Sequence, residues 1–223
     1  MILTYMFSST EFDTYSREKQ SFAEAKQDLF VQHVLKDKTS GFFVDFGAGG
    51  GVIGSNSYLL ETNFGWKGIV CEPCRAHHKS LQETRTCHID FDCVYTSTGK
   101  TVNFIEPSDP NLATIESYVG SDKWKETRLK HCTTYQVTTV SLNDLLERYN
   151  APHQIDYLSL DTEGSEFHIL CNYDFSRSIK VVTVEHNNNA YRNGILDLLT
   201  QRGFERIDQS ICAWDDWYVR RDC

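Results

Sequence analysis

Asp45, Glu72, Asp92, Asp161 and Glu185 each stand in or just after an apolar run, and His186 directly follows the last of them. A lone acid at such a place is ordinarily a solvated loop carboxylate. Five at one sheet edge make a surface that attracts cations and accepts protons. Removing the proton from a weakly acidic hydroxyl calls for a positioned base, and His186, beside Glu185 and with Asp161 on the same edge, is the candidate. The neighbouring carboxylates would raise its pKa; the position equally suits a histidine that only caps a strand end. Asp161, Glu185 and His186, with Asn187 as a further oxygen, also form a candidate set for a divalent metal. One imidazole among oxygens suits magnesium or manganese better than zinc. The same acids can instead serve a cationic cofactor and the substrate without any metal.

The stretch Phe42–Asn56, "FFVDFGAGGGVIGSN", adds a glycine turn to this acidic edge, with five glycines within eight residues. Two fingerprints overlap in it. Gly49-x-Gly51-x-x-Gly54 fits a dinucleotide loop, whose glycines let a pyrophosphate approach a helix N-terminus. Asp45-x-Gly47-x-Gly49 fits a loop for S-adenosylmethionine. A pyrophosphate brings two negative charges, which a carboxylate two residues before Gly47 would repel. S-adenosylmethionine carries an ammonium beside a carboxylate, and its sulfur is a cation, so Asp45 favours the methyl donor. Glu72 can accept ribose hydroxyls from either cofactor and does not discriminate.

The elements that would position these residues alternate. Helical spacing of Phe22, Ala25, Leu29, Phe30, His33 and Val34 predicts a helix over residues 16–37, in a helical lead over residues 1–40. Strands are expected at 42–46, 66–73, 86–94, 133–140, 154–161 and 179–186, with two more in "GFERI" and "WYVR". Helices are expected between most of them, with Ser141 capping "SLNDLLERY" and Asp144 in its first turn. Apolar strands alternating with helices predict an α/β protein: a mostly parallel sheet, helices on both faces, and ligands beyond the carboxyl ends of the strands. Residues 106–131 show little periodicity and form an irregular insertion, a candidate substrate lid carrying Tyr118, Trp124 and Lys125. Trp214 and Trp217 are expected in packing.

At 223 residues the chain is expected to form a single domain. Lys+Arg 22 against Asp+Glu 31, a net charge of −9, argues against a broad phosphate-binding face and hence against nucleic acid as a partner. The start, "MILTYMFSS", lacks a cationic flank and is too short to span a bilayer. The eight cysteines are therefore expected as reduced thiols of a cytoplasmic protein, several of them buried. Cys71-x-x-Cys74 lacks a second pair at zinc-ribbon spacing.

Three separated motifs, "FFVDFGAGGGVIGSNSYLLETNFGWKGIVCEP", "IDYLSLDTEGSEFHIL" and "VVTVEHN", resemble the FkbM family of S-adenosylmethionine-dependent methyltransferases, in the family's order and over about Gln27–Asn187. The resemblance implies a Rossmann-like class I methyltransferase fold, with a seven-stranded sheet whose last strand is antiparallel. It also implies O-methylation of a hydroxyl on a sugar, glycoconjugate or other small molecule. It would place the methionine part on Asp45, Gly47 and the Gly49 turn, followed by Ser55 and Asn56, and the ribose on Glu72. Asp161 and Glu163 would stand at the active-site edge. Gly49-Gly50 stand where the family often shows Asn and Asp, and "HIDFDCV" lacks the usual Asn, so the adenine contact falls on Asp92 or on Asp90. Two rivals predict different behaviour. An NAD(P)-dependent oxidoreductase would use the Gly49–Gly54 loop and be stabilised by NAD. A non-catalytic binding subunit of the same fold would bind the cofactor and turn over nothing.

Overall fold

A computed structural model describes residues 7–223. The apolar start of the chain lies, up to Met6, outside the described residues. No helix among the described residues is long and apolar enough to cross a membrane.

Of the helix expected over residues 16–37 only α2 (Gln27–Val34) forms, and a separate α1 (Ser9–Ser16) ends where that helix was expected to begin. Asp28 causes the break. Its buried carboxylate accepts from the Ser21 hydroxyl at 2.6 Å and from the Phe22 N–H at 2.8 Å. That gathers residues 21–23 into a turn instead of a helix, and Lys26 then enters α2 through a left-handed φ of 66°. The chain continues through β1 (Phe42–Phe46), α3 (Tyr58–Phe64), β2 (Lys67–Cys71) and α4 (Arg75–Thr84). The strand expected at 86–94 is divided into β3 (His88–Asp90) and β4 (Cys93–Tyr95). Next come β5 (Thr101–Pro107), β6 (Thr114–Ile115), α5 (Lys125–Lys130) and β7 (Cys132–Ser141). The stretch 106–131 is thus not irregular throughout, and 3-10 turns at Pro110–Leu112 and Glu116–Tyr118 add to its order. The rest is α6 (Leu142–Arg148), β8 (Gln154–Leu160), α7 (Glu166–Cys171), β9 (Ser178–Glu185), α8 (Arg192–Gln201), β10 (Phe204–Arg206) and β11 (Asp215–Arg220). Ser141 caps α6 as expected, its hydroxyl accepting from the Asp144 N–H at 3.1 Å.

Seven strands form a sheet in the order β10-β11-β9-β8-β1-β2-β3. From β3 to β9 the neighbours run parallel, while β11 is antiparallel to both β9 and β10, so the sheet is mixed. The two-residue period of a strand sends alternate side chains to opposite faces. Val44, Phe46, Leu158 and Val182 pack with Leu145 of α6, Leu170 of α7 and Leu199 of α8. Phe43, Val70, Tyr157 and Trp217 pack on the other face with Phe30 of α2, Leu60 of α3 and Leu81 of α4. Helices therefore cover both faces.

A second sheet, of order β4-β7-β5-β6, was not expected. Its spine is the antiparallel pair β5/β7, in register from Thr101 opposite Thr138 to Pro107 opposite Cys132. A small separate core of Cys74, Cys93, Phe104, Ile115 and Tyr118 supports it. This sheet projects beyond the carboxyl ends of the parallel strands and supplies one side of the site.

Candidate active site

Gly47 opens the site. Its N–H donates to the Cys71 carbonyl at 3.0 Å, and the Asp161 N–H donates to the Phe46 carbonyl at 3.1 Å, so the loop turns between the ends of β2 and β8. Gly47 has φ +73°, and a Cβ there would lie 1.7 Å from the Asp161 carbonyl oxygen. Only glycine fits. Beyond this turn lies a cavity of about 410 Å³. The ends of β1, β2, β8 and β9 form its floor, residues 109–113 with Lys123 and Trp124 one wall, and Glu24, Gln27, Ile53 and Trp214 the opposite rim.

Of the residues expected here, Gly47, Gly49, Asn56, Glu72, Asp161 and Glu185 line the cavity. Glu72 accepts from the Gly49 N–H at 2.9 Å and from the Cys74 N–H at 2.8 Å, bracing the glycine loop against the end of β2. Burial pushes its carboxyl up to about 7 in spite of those two bonds. Asn56 donates to the Ser159 hydroxyl at 3.0 Å, while its own Oδ1 is buried without a partner.

Four expected residues stand elsewhere. Asp45 is adjacent to Phe46 and so points to the opposite face, under the start of α3, where it accepts from the Ser57 hydroxyl at 2.5 Å. Ser55 is a cap: its hydroxyl accepts from the Tyr58 N–H at 3.1 Å and from Arg85 Nη1 at 3.2 Å. Asp92 shares Arg148 Nη1 with Asp90, at 2.9 and 2.6 Å. Neither acid lines the cavity, whose wall there is Cys93 and Val94.

His186 is turned away by the same alternation that turns Glu185 inward. Its Nδ1 accepts from the Asn188 N–H at 2.9 Å, and its Nε2 lies 3.8 Å from Asp216 Oδ1, outside the cavity. Burial lowers its pKa more than Asp216 raises it. The expected set Asp161, Glu185 and His186 is therefore not assembled, either as a base with its acids or as metal ligands.

Glu163 takes the third place. Oxygens of Asp161, Glu163 and Glu185 all lie within 4.8 Å of one another. Glu163 holds a left-handed φ of 59°, and Glu166 fixes the loop around it by accepting from the N–H groups of Thr162 and Gly164 at 2.9 and 3.0 Å. Arg128 Nη2 donates to Glu163 at 2.5 Å, yet burial among acids still pushes this carboxyl up to about 8. Among the described residues no lysine or arginine pairs with Asp161 or Glu185. Burial, reinforced by neighbouring acids, raises both well above the usual carboxylate range. Sequence alone marked Glu163 only through its motif, and nothing marked Arg128. Trp217 is buried in packing as expected, but Trp214 is 42% exposed on the rim, and Ile53 is 94% exposed beside it.

These acids set a pH dependence. In the folded protein Glu72 and Glu163 keep their protons to about 7 and about 8, whereas both release them near 4.5 when unfolded. The unfolded chain then binds fewer protons across that window, so stability falls as pH rises from about 4.5 to 8. The ligand-free protein is expected to melt ~5 °C or more lower at pH 8.5 than at pH 5.5. A flat melting profile over that range would mean these carboxyls are ionised throughout.

Residues 45–216 match the family model described as the methyltransferase FkbM domain. No curated protein matches the chain. Among solved structures it is similar to the X-ray structure of YjhP from E. coli, at 10% identity over 95% of this chain and 97% of that one. The TM-score of 0.24 is too low for that likeness to bear on fold or function.

Proposed function

This chain belongs to the FkbM methyltransferase domain family, and from that premise we propose that it transfers a methyl group from S-adenosylmethionine to a hydroxyl of a sugar or glycoconjugate on a Rossmann-like class I scaffold. One observation carries the choice of methyl donor. The cavity sets Asp161 and Glu185, unpaired with any cation among the described residues, beside an Asn56 carbonyl oxygen that lacks a donor. A bound ammonium or sulfonium supplies the counter-charge that these buried carboxyls lack, which a pyrophosphate would not.

When bound, S-adenosylmethionine supplies an electrophilic methyl group on a cationic sulfur. Glu72 keeps lone pairs free beyond its two backbone bonds and accepts the ribose hydroxyls. Asn56 Oδ1 accepts from the ammonium, and Gly49 leaves room for the methionine part. On the acceptor side, Trp124 and Trp214 offer flat apolar faces to a sugar ring. The Asp161–Glu185 pair, on the cavity floor and without a paired cation among the described residues, is placed to take the hydroxyl proton.

Thermal shift with S-adenosylhomocysteine and with NAD separates the donor classes, and stabilisation by the first alone is expected. Glu72→Ala should weaken S-adenosylhomocysteine binding by about 2 kcal/mol, measured by calorimetry on a variant shown to be folded. Stabilisation by NAD instead would make the chain an oxidoreductase. Cofactor binding without turnover on any acceptor would make it a binding subunit.

A further inference from the structure

Arg128 is fully buried, and all of its bonds are to two separate parts of the chain. Nε donates to the Leu112 carbonyl at 3.0 Å and Nη1 to the Val119 carbonyl at 3.3 Å. Nη1 and Nη2 grip the Asp122 carboxylate at 2.7 and 2.9 Å, and Nη2 also reaches Glu163 at 2.5 Å. The first three partners belong to the connection between β5 and β7. The fourth belongs to the loop between β8 and α7. A planar five-donor fork can satisfy such a set, and lysine cannot.

We propose that Arg128 is a positioning residue that locks the wall carrying Lys123 and Trp124 to the acid floor of the cavity. Independent contacts run along the same seam. Thr114 Oγ1 donates to the Glu163 carbonyl at 3.0 Å, and a Cβ on Gly164 would meet Ser121 Oγ at 2.6 Å. Asp122, held by Arg128, accepts the Trp124 N–H at 2.8 Å and so fixes the start of α5 on the cavity wall. The segment between β5 and β7 is a pinned wall and not a swinging lid.

The lock also sorts the three acids. Glu163 alone of the three is paired with a guanidinium, while among the described residues Asp161 and Glu185 have no such partner. The proton leaving the acceptor oxygen then goes to the Asp161–Glu185 pair, as that oxygen bonds to the methyl carbon and the carbon–sulfur bond breaks with its electrons left on sulfur. This sorting rests on the methyl-transfer reading above; the lock itself does not.

The test compares wild type, Arg128→Met, Glu163→Gln and the double variant in hydrogen exchange, melting temperature and S-adenosylhomocysteine calorimetry. Arg128→Met should speed exchange of the amides in 110–124 by roughly a hundredfold and weaken the ligand by roughly tenfold, since it strands the buried Asp122 carboxylate and frees Glu163. It should lower the melting temperature less in the Glu163→Gln background, where one of the two acid partners of the guanidinium is already gone and only Asp122 is stranded. Should Arg128→Met fail to fold, Arg128→Lys, which keeps the charge without the fork, must still show faster exchange over the same amides. Wild-type exchange in 110–124, or an equal melting loss in both backgrounds, overturns the proposal. If wild type does not bind S-adenosylhomocysteine, the methyl-donor reading fails, and exchange and melting still decide the lock.

Discussion

Glu185→Gln is expected to reduce methyl transfer by roughly 10²–10⁴-fold, the usual range for loss of a positioned base, while His186→Ala stays within about twofold of wild type. Glu185 lies on the cavity floor with oxygens close to Asp161, so an amide there removes a proton acceptor without changing volume. His186 has its Nδ1 engaged by a backbone N–H and its Nε2 directed at Asp216. Release of S-adenosylhomocysteine in the presence of sugar acceptors measures both variants. The reverse order of losses would move the base from the carboxylate pair to the imidazole and require the end of β9 to rotate.

Gly47→Val is expected to abolish folding, not merely cofactor binding. A side chain there meets the Asp161 carbonyl oxygen at 1.7 Å and must also adopt φ +73°, which a β-branched residue resists. Relief would mean parting β1 from β8 at the centre of the sheet, a loss of more than ~4 kcal/mol. Circular dichroism and melting should show no cooperative transition. Gly49→Ala is the contrast. An added Cβ there finds nothing nearer than Asn111 Oδ1 at 3.7 Å and faces only the modest cost of alanine at φ +54°, so this variant should fold and weaken S-adenosylhomocysteine binding. A folded Gly47→Val with a normal melting curve would mean that the turn between β1 and α3 is built differently.

Much of this was legible in the sequence because buried parallel strands are apolar from end to end. β1, β2, β8 and β9 declare themselves, and so do the acids that end them. What apolarity does not fix is the direction of a single side chain. Asp45 sits one residue from Phe46, and His186 one residue from Glu185; in each pair the pleat sends one partner to the ligand side and the other away. The second sheet was hidden for a different reason. β7 was expected as a strand, but half of its residues are exposed and only Tyr135 and Val137 turn toward the small core. It therefore does not announce a second sheet, and β5 was passed over altogether. The expected long first helix failed on local grounds, because Asp28 offers nearby backbone donors a better partner than helix propagation does. Arg128 illustrates the limit. Its role depends on Glu163, far along the chain, and no spacing rule connects them.

The central strand has a consequence for the order in which the protein can be made. β1 pairs with β2 soon after it in sequence, but its other neighbour is β8, with Phe43 opposite Tyr157, more than a hundred residues on. During synthesis the glycine loop and Glu72 emerge while their far side does not yet exist, and the whole second sheet must be produced before β8 can close against β1. Asp161, Glu163 and Glu185 arrive last. On the proposed reading, a methyl donor would meet only the glycine loop and Glu72 on the nascent chain, and its full cavity only in molecules whose long excursion has already closed. Any stabilisation it gave would belong to the finished protein, slowing unfolding without hastening assembly.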